Sequence, residues 1–124
     1  MAIQHPPRFP RIPQLLNAAR SAGGIALSRF TRRPVPLGMP VMLMVEPGTA
    51  CQLSCPHCPT GRNELSRPAG TLSFENFKKI WDTIEPTPLR LQLWNQGEPL
   101  TNRQLPEIIR YATASGAWVA MSTN

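Results

Sequence analysis

All three cysteines of this chain fall within eight positions, as Cys51-x3-Cys55-x2-Cys58 in the stretch TACQLSCPHCPTG (49–61). Neighbours this close make poor structural disulfides, because closing a very short loop gains little and strains the bridge geometry. An odd count points the same way, toward a reducing compartment and a metal. Thiolates are soft ligands for zinc or for iron-sulfur clusters, and clustered spacing lets one loop wrap one centre. A cubane cluster has about four irons, so three cysteines leave one iron open to an outside ligand. That is a reason for the count to stop at three.

The surrounding pattern places this loop in an α/β fold. VMLMVEPG (41–48) is a short apolar run ended by Pro47-Gly48, which predicts a strand buried on both faces. In SFENFKKIWDTIE, Phe74, Phe77, Ile80, Trp81 and Ile84 recur at helical spacing behind Ser73 as N-cap. Leu89, Leu91 and Leu93 alternate with Arg90 and Gln92 in LRLQLWNQGEP (89–99), predicting a second strand. Leu105, Ile108, Ile109 and Ala112 predict a second helix, with Pro106 in its first turn and Gly116 as its stop. AWVAMSTN is a third strand. Strand, loop, helix, strand, helix, strand makes a right-handed parallel arrangement, in which chemistry gathers at the C-terminal ends of strands. The cysteine loop, NQGEP and STN each sit at such an end and are expected to face one pocket. A parallel strand with an open edge exposes backbone and apolar faces, so the expectation is the first half of a longer barrel, cut after its third strand.

Charge divides the chain in two. Arg8, Arg11, Arg20, Arg29, Arg32 and Arg33 all precede the first acidic residue, Glu46, whereas from position 34 seven basic residues meet seven acidic ones. The net charge of +6 therefore belongs to an N-terminal arm (1–40), and residues 41–124 offer no basic field to a phosphate backbone. A nucleic-acid partner is not expected. The arm holds Pro6, Pro7, Pro10 and Pro13, a candidate helix over Gln14 to Phe30 weakened by Gly23-Gly24, then Pro34, Pro36 and Pro40. An Arg-rich, acid-free start suits a transit peptide or a membrane-surface helix, while its prolines favour a solvated arm packed loosely on the domain. No stretch approaches the ~20 apolar residues of a membrane span, and the expected location is cytoplasmic.

With the loop, the strand order and Gly97-Glu98-Pro99 in place, the chain resembles the radical S-adenosylmethionine (SAM) superfamily over roughly residues 41–124. VEPGTACQLSCPHCPTGR, GEPL and STN together resemble the branch that carries a C-terminal auxiliary-cluster (SPASM) domain. The resemblance implies a partial (β/α)6 TIM-like barrel, a [4Fe-4S] cluster ligated by Cys51, Cys55 and Cys58, and SAM on the open iron. It implies that His57 stacks on the adenine, and that Gly97, Glu98 and Pro99 lie along the methionyl ammonium. Ser122, Thr123 and Asn124 stand at the third-strand end, facing SAM or substrate or else serving as turn residues. Gln96 departs from the commoner glycine at its position. Arg62 and Arg67 are candidates for an anionic substrate group or for solvated loop positions. Trp81, Trp94 and Trp118 read as packing residues. The implied reaction is reductive cleavage of SAM to a 5′-deoxyadenosyl radical that abstracts hydrogen from a peptide or cofactor precursor, with flavodoxin or ferredoxin as electron donor. The competing reading is a zinc-binding module, in which Cys51, Cys55, Cys58 and His57 or His5 close a Cys3His site and the arm contacts nucleic acid. It leaves GEP unexplained.

Overall fold

The computed structural model describes residues 2–4, 10–84 and 88–124; His5 lies outside them. The elements run β1 (Ala2–Gln4), α1 (Ile12–Thr31), β2 (Met42–Val45), α2 (Phe74–Ile84), β3 (Arg90–Leu93), a 3-10 turn (Pro99–Thr101), α3 (Leu105–Ala114) and β4 (Trp118–Ser122). β2, β3 and β4 pair in parallel, with Leu43 opposite Leu91 and Leu91 opposite Val119. This is the α/β unit that the alternation of patterns predicts.

One face of the sheet carries the core. Leu91, Leu93, Val119 and Met121 meet Phe77 and Trp81 of α2 and Leu105, Ile108 and Ala112 of α3, all buried. Phe77 and Trp81 are one helical turn apart and stack at 5.6 Å, and the Trp81 indole N–H donates to Ser115 Oγ at 3.2 Å. The indole's polar edge is thus satisfied inside the core. Ser73 caps α2 by accepting the Asn76 N–H, and Gly116, at φ +92°, turns the chain out of α3.

Two expectations change. β2 is not buried on both faces: Leu43 and Val45 pack on the core, but Met42 and Met44 are half-exposed. The reason is position, since the sheet order β1-β4-β3-β2 puts β2 at an edge. The open edge expected on the third parallel strand is occupied as well. β1 pairs with β4 antiparallel, Ile3 opposite Met121.

α1 lies across the other end of the sheet. Its buried residues are Gln14, Asn17 and Gly24. The Gln14 amide donates to the Pro88 carbonyl at 2.9 Å, Asn17 exchanges two hydrogen bonds with the Met39 backbone, and Arg11 donates to the Ala114 carbonyl. Pro88, Met39 and Ala114 lie on the segments that lead into β3, β2 and β4. Gly24 is needed for close approach, because a Cβ there would stand 2.6 Å from the Val35 carbonyl oxygen. Among the described residues, no helix is long and apolar enough to cross a membrane.

Candidate functional site

The C-terminal ends of β2, β3 and β4 open onto one cleft of about 590 Å³, lined by Cys51, Cys55, Cys58, Trp94, residues 95–98 and residues 120–124, with Leu53 and Arg90. That volume suits a small-molecule ligand. The three sequence features expected to converge do so.

The loops hold this shape by packing backbone on backbone. Glu98 N–H donates to the Ala50 carbonyl at 2.8 Å, and a Cβ on Gly97 would stand 1.9 Å from the Gly48 oxygen. No residue but glycine fits at 97 without moving one of the two loops. Gly61 is under the same constraint against Cys55, at 2.6 Å from its backbone nitrogen.

Two carboxylates brace the strand ends. Glu98 is 3% exposed and accepts from the Thr123 hydroxyl at 2.6 Å, the Leu100 N–H at 3.0 Å and the Asn124 N–H at 3.1 Å. Burial alone would raise its pKa, but these donors hold it below the usual carboxylate value. Glu46, directly after β2, accepts from Arg67 at 2.7 Å and from the N–H groups of Gln96 and Gly97 at 3.0 and 3.3 Å. The Arg67 hydrogen bond, against the opposing effect of burial, lowers its pKa too. Asn102 completes the bracing, donating to the Pro47 and Leu72 carbonyls and accepting from Gln104 N–H.

All three cysteines are free thiols: Cys55 is exposed, Cys51 and Cys58 half-buried. The N–H groups of Gly61 and Thr60 turn toward Cys58 and lower its thiol pKa, favouring the thiolate that ligation needs. The Asn124 amide lies 3.6 Å from Cys51 Sγ and accepts from Gln52 at 2.8 Å, so the end of β4 touches the cysteine loop. Among the described residues, no three of His, Cys, Asp and Glu converge closely enough to hold a single metal ion. The donor set, three free thiols on one cleft wall, matches the thiolate chemistry of a cluster.

The other site candidates divide. Gly97, Glu98, Ser122 and Asn124 line the cleft; His57, exposed in the cysteine loop, and Pro99, buried at the start of the 3-10 turn, do not. Arg62 pairs with Glu64 and Arg67 with Glu46, so neither is an idle cation awaiting an anionic group. Gln96 turns its amide oxygen to Arg67 at 3.2 Å. Trp81 is core and Trp118 lies under the Arg90 guanidinium at 4.1 Å, but Trp94 faces the cleft. Sequence reasoning missed Glu46 and Asn102. The usable signal for Glu46 was a lone acid where an apolar strand gives way to Pro-Gly.

No family model and no solved structure matches the chain. Curated relatives do. It is 34% identical over 85 residues to an AdoMet-dependent heme synthase of Methanosarcina barkeri, covering 68% of this chain and 24% of that protein. It is 35% identical over 92 residues to the mycofactocin maturase MftC of Mycobacterium tuberculosis (71% and 22%), and 28% identical over 87 residues to a PqqA peptide cyclase of Rhodopseudomonas palustris (70% and 23%). The chain spans about a quarter of the length of these relatives.

Proposed function

The chain belongs to the radical SAM superfamily, and on that premise we propose that its cleft holds a [4Fe-4S] cluster and SAM. The observation that carries this reading is that three free thiols and the ends of all three parallel strands line one cavity. Cys51, Cys55 and Cys58 would ligate the cluster. When bound, the cluster supplies the electron for reductive cleavage of SAM, which leads to hydrogen abstraction from a substrate.

The chain's own residues bind and orient. Gly97 keeps the β3 loop pressed on the β2 loop, so the end of β3 and the cysteine loop line the same cleft. Glu98 adds a buried negative charge to the wall a ligand ammonium would meet, while Thr123 and Asn124 fix its oxygens. Ser122 and Asn124 offer polar contacts from β4 and Trp94 a flat apolar wall; His57 lies outside this cleft and takes no part in it here. In this reading β2, β3 and β4 are the opening strands of a partial (β/α)6 barrel, whose next strand would take the β4 edge that β1 occupies here. Relatives named for a peptide cyclase and a maturase favour a peptide or cofactor precursor as substrate; the reductive step would draw its electron from a donor such as flavodoxin or ferredoxin.

Metal and sulfide analysis of the protein prepared without oxygen tests the reading. Iron and sulfide near about four each per chain, lost in Cys55→Ala, are expected. One zinc without sulfide, even after reconstitution with iron and sulfide, contradicts it.

A further inference from the structure

α1 is docked inside out. Its polar residues Gln14, Asn17, Ser21 and Ser28 bond to the segments beneath it, whereas Ile12, Leu15, Leu16 and Phe30 are 73%, 50%, 56% and 87% exposed. At 100° per residue these four, with Ala19 and Leu27, form one continuous apolar stripe. Arg20 and Arg29 fall on its two flanks, and Arg32 and Arg33 follow its end. All four arginines are exposed, and none has an ion-pair partner among the described residues. No acidic residue occurs before Glu46.

We propose that this face of α1 docks the protein on an anionic lipid surface. The stripe runs about 30 Å, the length of 20 helical residues at ~1.5 Å each. An apolar helical face flanked by arginines, lying in the plane of the interface, is the pattern of helices that rest on membranes. Charge selects the occupant. A second copy would set the same arginines against one another with no carboxylate on the face to pair them. α1 buries Gln14, Asn17 and Gly24 and turns its stripe away from the segments beneath it. Docked this way, the protein presents the cysteine cleft, at the opposite end, to the aqueous side.

Co-sedimentation of the full chain with vesicles tests the proposal, using phosphatidylcholine alone and an equal mixture with phosphatidylglycerol. We expect binding to the mixed vesicles at least about tenfold tighter than to the neutral ones, and weakened by salt. Leu16→Gln with Phe30→Gln should weaken it by about tenfold or more, and Arg20→Gln with Arg29→Gln by about 25-fold, at about fivefold per arginine. Circular dichroism checks that the variants stay folded; should they not, the lipid and salt dependence of the unmodified chain decides alone. Absence of vesicle binding, equal binding to both compositions, or self-association abolished by the same substitutions would overturn the proposal. Neither iron nor SAM is read, so the outcome is independent of the reading of the cleft.

Discussion

The two ends of the sheet are built on the same device with opposite electrical character. At the C-terminal ends of the strands, ionised Glu46 and Glu98 gather N–H and hydroxyl donors from neighbouring loops and lock them around the cleft. At the N-terminal ends, neutral Gln14 and Asn17 bond α1 to the segments entering the strands. Each end fixes loops with polar side chains, but the acceptors at the site end are ionised carboxylates, whereas at the α1 end neutral amides hold the loops beside the Arg11 guanidinium on the Ala114 carbonyl. The carboxylate bonds of the site end are therefore tunable by protons and by bound cations, whereas the Gln14 and Asn17 amide bonds carry no group that titrates.

The largest way to break this separation is through the core both ends share. Trp81→Ala should cost about 3–5 kcal/mol and lower the urea midpoint of the whole domain, so that both ends melt together. A smaller effect confined to one end is expected of Gly97→Ala, about 3 kcal/mol, because the new methyl group must push the Gly48 carbonyl away. Hydrogen exchange should then speed up in residues 46–58 and 95–102 while α1 keeps its protection. Gln14→Ala should do the reverse at about 2 kcal/mol, stranding the Arg11 N–H and the Pro88 carbonyl and freeing α1 without loosening the cysteine loop. The two substitutions should be additive, since they share no partner; coupling beyond the scatter of such cycles would mean that the ends are not separate.

Acid gives the gentlest test. Glu46 and Glu98 have folded pKa values below the ordinary carboxylate value, so each contributes stability that is complete above the unfolded pKa and is lost as pH falls through the folded one. Lowering pH through and below the usual carboxylate range should open the site end first, seen as faster exchange at Gln96 and Gly97 and a brighter or shifted Trp94 emission in a Trp81→Phe/Trp118→Phe background. Exchange at α1 should not follow. Simultaneous loss at both ends would show that α1 depends on the same carboxylates.

Much of this arrangement was legible in the sequence, for physical reasons. α2, α3 and the three parallel strands each bury an apolar face on one core, and a buried face leaves a period in the residues. The cysteine loop, Gly97-Glu98-Pro99 and residues 122–124 were placed together because parallel strands point the same way. The exposure of Met42 and Met44 was not legible, since an edge strand and a central one share the same apolar composition. Nor was β1, a three-residue pairing with no pattern long enough to read. α1 had a readable stripe, but periodicity does not say which face a helix buries, and here the polar face wins through bonds to backbone carbonyls. Glu46 and Asn102 act on backbone groups distant in sequence, which no local motif records.

On the proposed function, the three strand ends form one site for a cluster and SAM. The most direct test is the low-temperature EPR spectrum of the anaerobically reconstituted, reduced protein with and without SAM, alongside Cys55→Ala. The expected result is a reduced-cluster signal that changes on adding SAM and is missing from the variant. A cluster signal indifferent to saturating SAM, or one that survives Cys55→Ala unchanged, would contradict it.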